Sequence, residues 1–371
     1  MEKVERREFG RLKILDSIRG IAALIVLYHH IFKLNRAVFK NHLNDITFSI
    51  FDFISGLNKE AVLLFFIISG FSIGLSTLKR PLTDKNSVNG YFYRRLKRIL
   101  PIYWIAILIA LLVGVSLNLL YLKDFSLQNL LGNLLFLQTS DSLSESWVIP
   151  YGMNGPLWSL SYEMFFYLLF PLVYFINKKF LKNLSLYTKY AALLFIVLLG
   201  IIINKKVVFI PYFLFMVGFV TWILGYISSY CFVMLKKKNT FFLINLLVGL
   251  AITFASTKIP SDSITIIGKG MLLNGIFYFS MIFTDNLNTE KFQKFINTFF
   301  YKLGEGSYAI YALHYPLLIL FQEKEISLIY QLLFLPIFII CCYYLEKRSI
   351  QWKLIFLDRN YLKLIKFKPN N

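Results

Sequence analysis

An all-α, polytopic membrane bundle is the fold that this chain of 371 residues predicts. Three observations predict it. The composition is 57% hydrophobic and 18% aromatic with only 16% charged residues, where a soluble domain carries about a quarter, and the mean hydropathy is +0.61. Apolar stretches long enough to cross a bilayer recur along the whole length. The basic residues alternate in number between connections: with three lysines inside apolar stretches (Lys33, Lys189, Lys269) assigned to the nearer connection and Arg19 left out, 29 of the 40 Lys and Arg fall on one side and 10 on the other. That bias puts the richer side in the cytoplasm, so both termini are expected inside. It also accounts for the formal charge of +20 through topology and attraction to anionic lipid headgroups, and no nucleic-acid partner is expected.

Ten spans are expected, at residues 14–34, 60–78, 99–120, 157–176, 186–204, 207–228, 240–257, 264–283, 304–321 and 326–345. The first follows a basic segment, as a signal peptide would. Arg19 and the pair His29-His30 interrupt it and no small-residue cleavage site follows, so it reads as a retained span. Pro101 and Pro156 fall near the starts of the third and fourth spans, where a missing N–H costs little. Residues 284–303 alternate Phe and Ile with Asn, Lys and Thr, the pattern of an amphipathic helix on the inner surface. With no soluble domain or linker evident, residues 1–371 read as one integral-membrane domain ending in a basic cytoplasmic tail at 346–371. Cys231, Cys341 and Cys342 lie in apolar stretches without ligand or redox spacing, so neither a disulfide framework nor a metal site is expected.

Ionisable residues in apolar spans are expensive, and they usually face a bundle interior or a wet cavity. His30 is the strongest of them here, because a neutral imidazole can take a proton from a hydroxyl near physiological pH. The competing reading is a histidine satisfied by helix–helix hydrogen bonds. His29 points about 100° away on the helix and reads as structural, and His42 reads as a solvated loop residue. Arg19, about 16 Å from His30 along the helix, either snorkels to the interface or is held by Asp16 three residues earlier.

The run Tyr93-Arg94-Arg95-Leu96-Lys97-Arg98 before the third span admits two readings. It is a topogenic anchor, or Arg95 and Arg98, three residues apart, form a fork for a phosphate. Glu163, in Trp158-Ser-Leu-Ser161-Tyr-Glu163, enters from the outer side about 8–10 Å into its span. A buried carboxylate needs a partner, and His30, similarly deep from the same side, is the expected one. Ser69-Gly70 in the second span offers small residues for close packing. Ser307, Tyr311 and His314 share one face of the ninth span by spacing, which interhelical hydrogen bonding also explains.

Taken in order, these segments resemble the integral-membrane acyltransferases of the acyltransferase-3 family. Leu-Asp-x-x-Arg-Gly-Ile-Ala-Ala…Tyr-His at 15–30 resembles the family's first-span motif and places its Arg on Arg19 and its catalytic His on His30. Phe-Phe-Ile-Ile-Ser-Gly-Phe at 65–71 resembles the second-span motif. Arg95-x-x-Arg98 followed by Pro-Ile-Tyr-Trp resembles the family's Arg-x-x-Arg element, which implies acyl-CoA handling. Trp158 to Glu163 resembles the fourth-span motif, and Ser307-Tyr308…His314 the late one. Where many members carry an acidic residue eleven positions after the histidine, this chain has Asn41. Larger members append an extracytoplasmic hydrolase-like domain, which is not expected here.

The resemblance implies acyl-CoA, acetyl-CoA above all, as a co-substrate rather than a tightly bound cofactor, and a saccharide or glycolipid hydroxyl as acceptor, at the plasma membrane. Arg19, Arg95 and Arg98 would hold the CoA phosphates. His30, with Glu163, would act as base or acyl carrier. Asn41, Ser69, Trp158, Ser161, Tyr308 and His314 are the further candidates for substrate contact or an oxyanion hole. Membrane lipids are the other expected partners, and nothing in the chain sets an oligomeric state. The rival is a proton-coupled secondary transporter using His30 and Glu163 as a relay, against which stands the lack of an internal repeat. A noncatalytic membrane sensor is a third reading, and it needs no His30–Glu163 pair.

Overall fold

The computed structural model describes residues 13–139, 146–207, 213–234, 238–258, 261–286 and 300–352, and among these there is no β-strand. The helices are α1 (Lys13–Leu34), α2 (Arg36–His42), α3 (Asp45–Gly56), α4 (Asn58–Lys79), α5 (Lys85–Ser116), α6 (Leu127–Leu134), α7 (Trp158–Lys179), α8 (Leu186–Lys206), α9 (Phe213–Met234), α10 (Lys238–Lys258), α11 (Asp262–Asn286), α12 (Ser307–Glu323) and α13 (Leu328–Ser349). Each of the ten expected spans coincides with one of them. Eight helical stretches among the described residues are long and apolar enough to cross a membrane. The two spans outside that set are α8, whose apolar part is Ala191–Asn204, and α12, whose 17 residues begin after Gly306 interrupts the helical segment 300–305. The expected surface helix at 284–303 and the tail beyond 352 fall largely outside the described residues.

The third span departs most from expectation. Its helix begins at Lys85 rather than near residue 99, so Pro101 lies inside α5 and not at its start. The cause is local. The Asp84 side chain accepts from the Ser87 backbone N–H at 2.8 Å, and the Ser87 hydroxyl lies 3.0 Å from the Asp84 backbone N–H as acceptor. This capping box starts a helix well before the apolar run. The same bonds to Ser87 hold the Asp84 carboxyl below its usual pKa. The 32 residues of α5 span about 48 Å, so the Arg94–Arg98 turn is continuous with the membrane helix.

Small residues set the closest helix approaches. A Cβ at Gly70 would overlap the Trp222 backbone carbonyl of α9, and one at Gly225 would overlap that of Ile67. The α4–α9 pair therefore depends on glycine from both sides. Between α1 and α12, Gly20 faces Phe300 and Gly304, and Gly304 faces the Asp16 backbone. Further along, His30 meets His314. Contacts advance together along both chains, so α1 and α12 run parallel.

The connections between α1 and α4 and between α5 and α7 carry ordered structure of their own. Asn44 caps α3 by accepting from Thr47 N–H at 2.8 Å, and α3 folds back on α1, with Tyr28 Oη donating to Phe51 O at 3.0 Å. The segment before α7 is buried: Tyr151, Asn154, Pro156 and Leu157 are all nearly inaccessible. Irregular backbone at such depth needs internal partners. Asn133 supplies two, accepting from Tyr151 N–H at 3.1 Å and donating to Ile149 O at 2.8 Å. Asn154 Nδ2 donates to Ala312 O at 3.0 Å, and Tyr311 Oη donates to Pro156 O at 2.8 Å. Gly152 turns the chain at φ +63°, with Ala110 so close that a side chain would collide.

Candidate functional site

Five helices converge on one cavity of about 60 Å³, room for a few waters. Its walls include Arg19 of α1, Ser69 and Ser72 of α4, Arg95 and Arg98 of α5, Glu163 and Tyr167 of α7, and Ser307, Tyr308 and Tyr311 of α12. The sequence-predicted cations therefore do meet, although they come from two separate helices. Arg19 is fixed by donating to Asp16 Oδ1 at 3.0 Å, as its spacing predicts, and to Ser72 Oγ at 2.6 Å. Arg95 lies over the Tyr91 and Tyr167 rings at 5.7 and 5.9 Å. Its buried Nε has no hydrogen-bond partner among the described residues. A cavity with three guanidinium groups, one of them incompletely satisfied, favours an anion.

Glu163 lies on the wall of that cavity, and its partners correct the expectation. Its Oε1 accepts from Ser69 Oγ at 2.8 Å and, more closely, from Tyr167 Oη. It does not pair with His30. The reason is the buried segment before α7. That segment is folded into the bundle, so α7 starts beside Tyr311 and Ala312 rather than at the end of the helices. Glu163 is then about 8 Å deeper by helical rise, at the level of Ser307 and Tyr308, whereas His30 lies outward of Tyr311. Equal counts from the span ends did not mean equal depth.

The partner of His30 is His314, which is 1% exposed. His314 Nε2 lies 3.1 Å from His30 Nδ1, and His30 Nδ1 also lies 2.9 Å from Val26 O. His314 Nδ1 faces two backbone carbonyls, Ile310 O at 3.0 Å and Tyr311 O at 2.8 Å. The Tyr315 ring covers His30 edge-on at 4.8 Å between centroids. His29, whose ring meets that of His30 edge-on at 4.9 Å between centroids, bonds Ser55 through Nδ1, at 2.9 Å to the carbonyl and 3.0 Å to the hydroxyl, tying α1 to α3. His30 is half-buried, and neither it nor His314 lines the cavity. Tyr311, whose ring lies 6.2 Å from that of His314, stands between the two regions.

The remaining candidates divide. Ser69 lines the cavity with its hydroxyl donated to Glu163. Tyr308 lines it with its hydroxyl donated to Ile99 O at 3.0 Å. Ser161 is buried elsewhere and bonds the carbonyls of Gln138 and Trp158, so it does not reach the cavity. Trp158 packs edge-on against Tyr162 at 5.0 Å. Asn41 is exposed on α2 and does not line the cavity. The reading from sequence missed Ser72 and Tyr167, three and four residues from Ser69 and Glu163 and so on the same helical faces. It also missed Glu346 of α13, whose buried carboxylate accepts from the backbone N–H groups of Tyr308 and Ala309 at 3.1 and 3.0 Å. That contact caps α12 beside the cavity.

Fold and site together define a multi-pass helical bundle with an anion-receptive cavity among its helices and a histidine pair further along the same helices. Residues 12–347 match the acyltransferase domain family, and the chain belongs to that family, acyltransferase 3. It is similar to the acyltransferase MdmB of Streptomyces mycarofaciens, 35% identical over 174 residues, which are 46% of this chain and 41% of that protein. The matched region thus spans about two fifths of that relative's length. No solved structure matches the chain.

Proposed function

We propose that this protein transfers an acyl group, most simply acetyl, from cytosolic acyl-CoA to a hydroxyl of a saccharide or glycolipid at the outer side of the plasma membrane. The observation that carries the reading is the convergence of Arg19, from the helix that also carries His30, with Arg95 and Arg98 of α5 on one cavity. Guanidinium forks bind phosphate bidentately and hold it in register. The donor's phosphates sit at these cations, its arm passes Tyr311 along α12, and its thioester reaches His30. The acceptor approaches His30 from the outer side. As its oxygen attacks the thioester carbon, its proton moves to His30, the C–S bond breaks, and the CoA sulfur leaves with that proton. Glu163, bonded to Ser69 and Tyr167, holds the cavity wall and offsets part of its positive charge.

The test uses purified protein in liposomes, given radiolabelled acetyl-CoA and envelope saccharide and lipid fractions as acceptors. The expected result is label in one acceptor fraction, dependent on protein. Proton flux across the vesicles without any transfer of label would instead establish the transporter reading.

A further inference from the structure

We infer that His314 is a positioning residue that shares the proton taken up by His30, so that the base is a two-histidine relay. The inference rests on His30 being the base and adds what sits behind it. Backbone carbonyls only accept, so the 2.8 and 3.0 Å contacts from His314 Nδ1 to Tyr311 O and Ile310 O fix the proton of the neutral ring on Nδ1. Its Nε2 then carries a lone pair, and that lone pair faces His30 Nδ1 at 3.1 Å. His30 Nδ1 must therefore hold the hydrogen, shared between His314 Nε2 and Val26 O at 2.9 Å. By elimination the lone pair of His30 is on Nε2, available to an acceptor hydroxyl. Three carbonyls set both tautomers without any carboxylate.

The arrangement parallels the logic by which an acid behind a histidine orients it and stabilises the imidazolium, with a neutral imidazole in place of the acid. When the acceptor proton arrives at His30 Nε2, the Nδ1 proton moves toward His314 Nε2. His314 then holds hydrogens on both nitrogens, and its Nδ1–H remains bonded to two carbonyl oxygens that stabilise the charge. When the CoA sulfur leaves it takes the proton from His30 Nε2, the shared proton returns to His30 Nδ1, and the pair is restored. No charge is stored in the resting site, which suits a half-buried position in a membrane helix.

Two measurements on the full chain test this. The chain has four histidines, so nitrogen-15 NMR of histidine-labelled protein in lipid nanodiscs can assign every ring with single variants. A hydrogen-bond coupling between His30 Nδ1 and His314 Nε2 is expected, lost in His314→Leu while the His29 signals stay unchanged. In the transfer assay, His314→Leu should lower kcat on the order of 10²-fold, with the KM for acetyl-CoA within about 3-fold. His314→Gln, whose carbonyl can still accept from His30 Nδ1–H, should recover most of that loss. The inference is overturned by an absent coupling in the wild type, by a His314→Leu enzyme with unchanged kcat, or by Gln and Leu variants equally impaired. If His30→Ala abolishes transfer while His314→Leu does not affect it, the relay fails and the function stands. If His30→Ala itself retains full transfer, the function as proposed fails.

Discussion

Replacing Glu163 with Gln separates the arrangement seen here from a Glu163–His30 pair. The substitution keeps the shape of the side chain and its acceptor oxygen but removes the charge. Two donors converge on that oxygen, Ser69 at 2.8 Å and Tyr167. A hydrogen bond to a charged group contributes about 1.5–3 kcal/mol and a neutral one about 0.5–1.5, so each bond should lose about 1 kcal/mol. Glu163→Gln should therefore cost about 2 kcal/mol, read as a lowered thermal midpoint in one fixed detergent. The variant should leave the nitrogen-15 signals of His30 where they are. Its effect should add to that of His30→Ala within about 0.5 kcal/mol, as expected for separated sites. A coupling above about 1 kcal/mol between the two substitutions, or a displaced His30 signal, would refute the separation and restore the pairing.

Other outcomes follow from the same geometry. Arg95→Lys and Arg98→Lys should each weaken acetyl-CoA binding about 10-fold by titration calorimetry, because a point charge loses the bidentate fit. Membrane topology, mapped by cysteine labelling, should stay unchanged, since Lys serves the positive-inside bias as well. Gly70→Ala places a methyl against the Trp222 carbonyl and should destabilise the protein by at least about 2 kcal/mol; a thermal midpoint equal to wild type would contradict the close α4–α9 contact. Glu346→Gln keeps an acceptor for Tyr308 and Ala309 N–H but loses its charge, and should cost about 1 kcal/mol by the same assay.

Much of the fold was legible in the sequence because the bilayer imposes it. Length and apolarity placed eight of the ten helices within about four residues at each end, with α5 and α9 further off, and the i,i+3 spacing of Asp16 and Arg19 named a bond that the structure contains. Reading failed where depth depends on non-local packing. The capping box at Asp84 moved the start of α5 upstream of the apolar run. The buried turn at 151–157 carried α7 inward, so Glu163 and His30 diverge even though each lies a similar number of residues from its span's outer end. His314 was named for its spacing, but its contact with His30 rests on the parallel run of α1 and α12, which their glycines permit and no local pattern encodes. Glu346 was expected at the start of the tail, one residue past the last span, and its role at the start of α12 arises only once α13 runs on to Ser349 and packs there.

The most direct test of the account compares acetyl transfer by wild type, His29→Ala and His30→Ala proteins, each reconstituted in liposomes at equal amounts and checked for equal thermal midpoints. His29 has its Nδ1 engaged with Ser55 and meets His30 through a ring edge, while His30 offers Nε2 to the acceptor. His30→Ala should therefore reduce transfer at least about 10³-fold, and His29→Ala should retain most of it. Full transfer by His30→Ala, or equal losses in both variants, would contradict the assignment of His30 as the base.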